Sequence, residues 1–144
     1  MHTGLPGPPG RLILQQPTYE QMLALVQAAY PLEACGLLAG QGERAAQLYP
    51  IDNILRSPTA FEMDPLQQVE AMLQIEAQGL ELLAIYHSHP HGPQKPSASD
   101  VARAFYPETV QLIISLQERR RPVTRAFTIV DGHVREVPFL IEQL

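Results

Sequence analysis

His87 and His89 stand two residues apart at the end of an apolar run, ELLAIYHSH (81–89). If that run is a strand, its side chains alternate between faces and both imidazoles point the same way. Two imidazoles side by side make a metal clamp. Ten residues rich in proline separate His89 from Asp100, which opens an expected short helix. A loop of that stiffness is able to fold back and carry the Asp100 carboxylate to the same point. Two His and one Asp are three N/O ligands. A catalytic zinc site takes three protein ligands and keeps a fourth position for water, whereas a structural site closes on four. The chain has one cysteine, Cys35, so a thiolate-rich structural site is excluded. The pattern therefore predicts one Zn2+ per chain, held by His87, His89 and Asp100. His91 is a further imidazole in the loop, surplus to that set.

A zinc-bound water needs a base. Glu33 lies where a first helix gives way to the strand CGLLAG, a junction from which a carboxylate leans over neighbouring strand ends. It is predicted to take the water's proton and return it to a leaving amine. Ser97, three residues before Asp100, is placed to donate to an oxyanion. Serine is also a favoured helix N-cap. Ser99, directly before Asp100, is expected to fill that role and leave Ser97 to the site.

These residues need elements to position them. RLILQ (11–15) reads as a short strand. Pro17 and Thr18 open a helix, with Gln21 at capping-box spacing from Thr18. Tyr19, Met22, Leu23, Val26 and Tyr30 form one apolar stripe, and Pro31 ends the helix. CGLLAG (35–40) and RAAQLYPI (44–51) read as strands joined by a hairpin turn. After the loop DNILRSPTAFEM, Asp64 caps a second helix with Pro65 in its first position. Leu66, Val69 and Leu73 line one face, and Gly79 closes it. DVARAFY is a short helix stopped by Pro107. TVQLIISL (109–116), TRAFTIV (124–130) and HVREVPF (133–139) are strands, the last two joined across Asp131-Gly132. The order β-α-β-β-α-β-α-β-β-β predicts an α/β single domain, a mixed or largely antiparallel sheet with helices packed on it.

Other residues have plainer readings. Cys35 invites assignment as a nucleophile, but no local base is free for it, and a small buried residue opening an apolar strand is the better account. Phe61 and Met63 read as core or staple residues rather than substrate contacts, and ERRR (118–121) as a solvated turn. His2 lies in a tail and His133 beside a turn. Residues 1–10 hold three prolines and three glycines with little to pack, and read as a flexible tail ahead of a domain spanning 11–144. The lone cysteine, the lack of an apolar spanning run and an N-terminus without signal-peptide character point to a soluble cytoplasmic protein. A net charge of −5 argues against a nucleic-acid-binding role. Nucleobase deamination would require H-x-E and P-C-x-x-C, and neither is present.

Glu33, then His87-Ser88-His89-Pro90, six residues, then Ser97-x-x-Asp100, resembles the JAMM motif of MPN+ zinc isopeptidases. EACGLLAG is similar to the segment that carries that family's glutamate. Asn53…Ser57-Pro58…Phe61-Glu62-Met63-Asp64-Pro65 is similar to small bacterial members of the Mec type. The resemblance runs from about residue 12 to residue 139. It implies a cytidine-deaminase-like α/β fold with a curved mixed sheet flanked by helices. It implies zinc-dependent hydrolysis of the bond after the C-terminal Gly-Gly of a ubiquitin-like, sulfur-carrier protein. It also implies Zn2+ on His87, His89 and Asp100, with Glu33 as base and Ser97 as oxyanion donor. The insertions by which larger relatives choose polyubiquitin linkages are absent. The alternative is a catalytically silent MPN-type binding module; the complete ligand set, base and serine argue for the enzyme.

Overall fold

A computed structural model describes residues 8–143; the expected tail at 1–10 lies mostly outside the described residues. The chain runs β1 (Leu12–Gln15), α1 (Gln16–Ala29), β2 (Cys35–Gln41), β3 (Arg44–Ile51), α2 (Pro65–Ala77), β4 (Glu81–His89), α3 (Ala98–Ala102), β5 (Val110–Ser115), β6 (Val123–Val130), β7 (His133–Val137) and β8 (Phe139–Glu142). The strands form one mixed eight-stranded sheet in the order β7-β6-β5-β4-β2-β3-β1-β8. β1 pairs in parallel with β3 and β8, and β4 with β5; the remaining pairs are antiparallel.

β7 and β8 are separated by one residue, Pro138, yet lie at opposite edges of the sheet. The sheet must therefore curl until its edges approach. This corrects the single strand expected over 133–139. Proline has no N–H to donate and breaks the ladder; the chain leaves β6 there and joins β1, where the Leu12 amide donates to the Pro138 carbonyl. The Asp131-Gly132 turn is as expected: both residues have positive φ, 51° and 78°, as a two-residue hairpin demands.

α1 covers one face of the sheet. Met22 and Val26 are fully buried against Leu12, Leu38, Tyr86 and Leu112, with Tyr19, Leu23 and Tyr30 packed around them, so the predicted stripe is the buried one. Its start differs. Thr18 is not the cap but a buried residue inside the helix, and its hydroxyl donates to the Ala46 carbonyl. α2 covers the other face through Ala71 and Ile75, against Cys35, Leu37 and Ile85. Asp64 caps it as predicted, accepting from the Leu66 and Gln67 amides. The predicted stripe on α2 faces solvent: Leu66, Val69 and Leu73 are 68%, 54% and 60% exposed. The Gln67 side chain donates to Asp52 and accepts from its amide, contacts consistent with the rotation that turns the smaller Ala71 edge inward.

Candidate metal centre

β4 is a central strand, flanked by β2 and β5, and all but its first two residues are buried. His87 and His89 are 1% and 4% exposed and share the α2 face with Ile85. Beyond β4 the chain turns at Gly92, whose φ is 78° and whose amide donates to the His89 carbonyl. That turn brings the Pro93 carbonyl 2.9 Å from His89 Nδ1. With Nδ1–H donating there, Nε2 carries the lone pair and faces the cluster.

Asp100 arrives from α3. Ser97 is the N-cap of that helix: its Oγ accepts from the Asp100 amide at 3.0 Å, and its own amide donates to Asp100 Oδ2 at 2.8 Å. Ser99 was the expected cap and is not: a reciprocal box needs a carboxylate three residues on, which Ser97 has in Asp100 whereas Ser99 has only Ala102 there. The capping Ser97 hydroxyl acts as acceptor, so its proton remains free to donate. α3 is also shorter than expected and ends at Ala102.

The three predicted ligands converge. His87 Nε2 and His89 Nε2 are 3.0 Å apart, and Asp100 Oδ2 lies 3.1 Å and 3.0 Å from them. Two imidazole nitrogens and a carboxylate oxygen in mutual contact suit a shared cation. Ligands at ~2.0–2.1 Å around a tetrahedral Zn2+ stand ~3.3 Å apart, close to the observed spacing, so the donor set and its geometry fit that ion. Burial alone would raise the Asp100 carboxyl; its contacts with the two imidazoles and the hydrogen bond from the Ser97 amide hold it well below the usual carboxylate range. Burial lowers His87 despite Asp100, whereas in His89 the Asp100 and Pro93 contacts outweigh burial and raise it.

Glu33 is 4% exposed, and its Oε1 has no hydrogen-bond partner among the described residues. Its backbone is pinned: the amide donates to the Ser57 carbonyl, and its carbonyl accepts from Asn53 Nδ2. The next residue, Ala34, is bound on both sides by Ser88, which lies between the two histidines. Burial pushes the Glu33 carboxyl up to about 7, with His89 lowering it and Asp100 raising it. A carboxyl poised near neutrality is suited to accepting and releasing protons.

The other residues fall as their plainer readings predict. Cys35 is buried, donates to the Ile51 carbonyl at 3.4 Å, and burial pushes its thiol up to about 12. His91 lies edge-on to Tyr30, apart from the cluster. The ERRR turn is exposed, with Arg119 resting 3.9 Å over the Tyr30 ring. The sequence reading missed three supporting residues, Asn53, Ser88 and Pro93, whose roles depend on partners distant in the chain or on backbone atoms. Phe61 packs against the core beneath α2 as expected, and its ring also stacks on His87 at 4.5 Å, a contact the sequence reading did not foresee. A cleft of about 390 Å³ has His87 and Asp100 in its wall, with Phe61, Met63, Phe105 and Tyr106.

Residues 15–130 match the family described as prokaryotic homologs of the JAB domain. A CysO-cysteine peptidase from Mycobacterium tuberculosis is 33% identical over 135 residues, 92% of each chain. A probable TtuB-protein conjugate cleaving protease from Thermus thermophilus is 41% identical over 104 residues, 70% of each. A solution structure of a Desulfitobacterium hafniense protein superposes with a TM-score of 0.83 at 38% identity, covering 92% of this chain and 94% of that one. A JAB1/MPN domain protein from Archaeoglobus fulgidus shares the fold, with a TM-score of 0.59 at 15% identity over 91% of this chain and 96% of that one.

Proposed function

The chain belongs to the prokaryotic JAB family, and on that premise we propose that it is a zinc-dependent metallopeptidase. Its proposed substrate is a ubiquitin-like, sulfur-carrier protein, cut at the peptide or isopeptide bond after a C-terminal Gly-Gly. The observation that carries this reading is the contact of His87 Nε2, His89 Nε2 and Asp100 Oδ2 near a buried carboxyl, Glu33, whose Oε1 has no partner among the described residues. A catalytically silent module would need no such combination.

His87, His89 and Asp100 would hold the Zn2+, which when bound supplies a Lewis acid and lowers the pKa of water to ~7. Glu33 accepts the proton of the attacking water and returns it to the departing amine. Its Oε1, without a partner among the described residues, is the atom available for both transfers. The Ser97 hydroxyl, held by the Asp100 amide, donates its proton to the carbonyl oxygen as negative charge develops there. Pro93 keeps His89 in one tautomer.

The relatives named for CysO-cysteine and TtuB-conjugate cleavage support a ubiquitin-like substrate. So does the crowding at the site: the two histidines and Glu33 are each at least 96% buried. Glycines, without side chains and free in φ, suit a tail that must enter such a space. Among the described residues no helix is long and apolar enough to cross a membrane. The test is a sulfur-carrier protein joined through Gly-Gly to an amine, beside its Ala-Ala counterpart, with products read by mass spectrometry. Cleavage after the second Gly, and a sharp loss with Ala-Ala, is expected. Equal rates, or cleavage elsewhere, would refute the specificity.

A further inference from the structure

The two histidines of the cluster are held by different means. His89 is oriented by a hydrogen bond from Nδ1 to the Pro93 carbonyl. His87 has no such bond: its Nδ1 is buried without a partner among the described residues. A metal-ligating imidazole ordinarily has its second nitrogen bound to a carboxylate, carbonyl or water, which fixes the ring plane. At His87 the ring plane is instead faced by Phe61, stacked at 4.5 Å between centroids and 26° between planes.

Phe61 is itself firmly held. Asn53 Nδ2 donates to the carbonyl of Ala60, just before it, and Asn53 Oδ1 accepts from the amide of Glu62, just after it. The Ile54 amide donates to the Glu62 carbonyl, closing the loop a second time. The same Asn53 amide nitrogen donates to the Glu33 carbonyl. One side chain thus ties the segment bearing the stacked ring to the segment bearing the proposed base.

We infer that Phe61 is the positioning residue of the His87 imidazole, replacing the missing hydrogen bond with a stacked face, and that Asn53 sets the ring's place. The inference rests on His87 being a zinc ligand. Stacking fixes the plane of the imidazole and so the direction of its Nε2 lone pair; an aliphatic side chain of similar bulk fills the space without presenting a flat face.

The test is zinc affinity, measured on the full chain stripped of metal and titrated against a chromogenic chelator at neutral pH. Phe61→Leu is expected to weaken zinc binding by ~10-fold or more, the usual range for loss of an outer-sphere partner. Phe61→Tyr keeps the ring and is expected to bind within about threefold of the parent, whereas Phe61→Met, flexible enough to fill the space without a flat face, should weaken binding as Phe61→Leu does. Phe61→Met stands in should the Leu variant fail to fold. His89→Ala is the control and should abolish tight binding. If the parent binds no zinc, or His89→Ala binds as the parent does, the metal reading fails and this inference with it. If parent and control behave as expected but Phe61→Leu binds like the parent, or Phe61→Tyr loses as much as Phe61→Leu, the positioning role alone is overturned.

Discussion

Glu33→Gln separates the proposed catalytic value of Glu33 from its cost to the fold. Burial raises the carboxyl from 4.5 to about 7 in the folded chain. The unfolded chain releases that proton near the ordinary value. Between the two values the unfolded state is ionised while the folded state is still protonated. A group raised in this way favours folding below its unfolded pKa, and that contribution is lost as pH rises through the folded one. The slope is ~1.4 kcal/mol per pH unit, so the metal-free protein forfeits about 3 kcal/mol between pH ~4.5 and pH ~7. Gln does not titrate. The stability of Glu33→Gln relative to the parent should therefore improve by about 3 kcal/mol across that interval and stay level above it. Any fixed cost of the buried amide appears equally at both ends and drops out. For a domain of this size the change corresponds to roughly 10 °C in relative melting temperature. The assay is a set of thermal melts of both proteins, stripped of metal, from about pH 4.5 to about pH 8. A divalent cation at the cluster favours the ionised carboxyl, so added zinc should narrow the gap. In the same variant turnover should fall by at least ~10²-fold, the usual value of general acid–base help, with zinc content unchanged. A stability difference that does not vary with pH would refute the burial argument, and near-normal turnover would refute the role as base.

His89→Ala and Asp100→Ala should each lose zinc and activity, read by elemental analysis and cleavage rate; full zinc occupancy in both would show that the ligands are others. Cys35→Ala should keep most activity at a stability cost of about 1–2 kcal/mol, measured by denaturant titration. Thiol alkylators should leave the native enzyme active while chelators inhibit it, since the buried thiol stays protonated at neutral pH. Ile75→Ala should destabilise by about 2–4 kcal/mol, whereas Leu73→Ala on the solvent side of α2 should stay within about 0.5 kcal/mol, a contrast that chemical denaturation resolves.

Much of the fold was readable because most elements carry local signals. The stripe on α1, the Asp64-Pro65 opening of α2 and the Asp131-Gly132 turn each rest on neighbours a few residues apart. The misreadings share the opposite property. Nothing near Pro138 says that the chain passes from one sheet edge to the other; that depends on β1, more than a hundred residues earlier in the chain. α2 presents leucines and valine at one helical period and Ala71 with Ile75 at another, and hydrophobicity favours the wrong set. The buried set is the one that fits against Cys35, Leu37 and Ile85, residues far from α2 in the chain, with Gln67 bonded to Asp52 in that orientation.

The site divides along the same line. Two histidines at i and i+2 on a strand and a Ser-x-x-Asp at a helix start are local geometry, so their convergence could be anticipated from spacing. What suits Glu33 to its proposed role as base is not local. Its carboxyl is raised because chain far away in sequence closes over it, and its backbone is set by Asn53 and Ser57 from the loop beyond β3. Asn53 carries no ionisable group and lies in a segment whose composition reads as plain loop. Yet its side chain bonds to residues on both sides of Phe61 as well as to Glu33. Chemistry-bearing residues announce themselves by type; the residues that fix their orientation do so through backbone hydrogen bonds, for which many side chains qualify. A reading of residue types therefore finds the atoms that react before it finds the atoms that hold them, and Asn53 becomes identifiable only once the fold has brought its partners together.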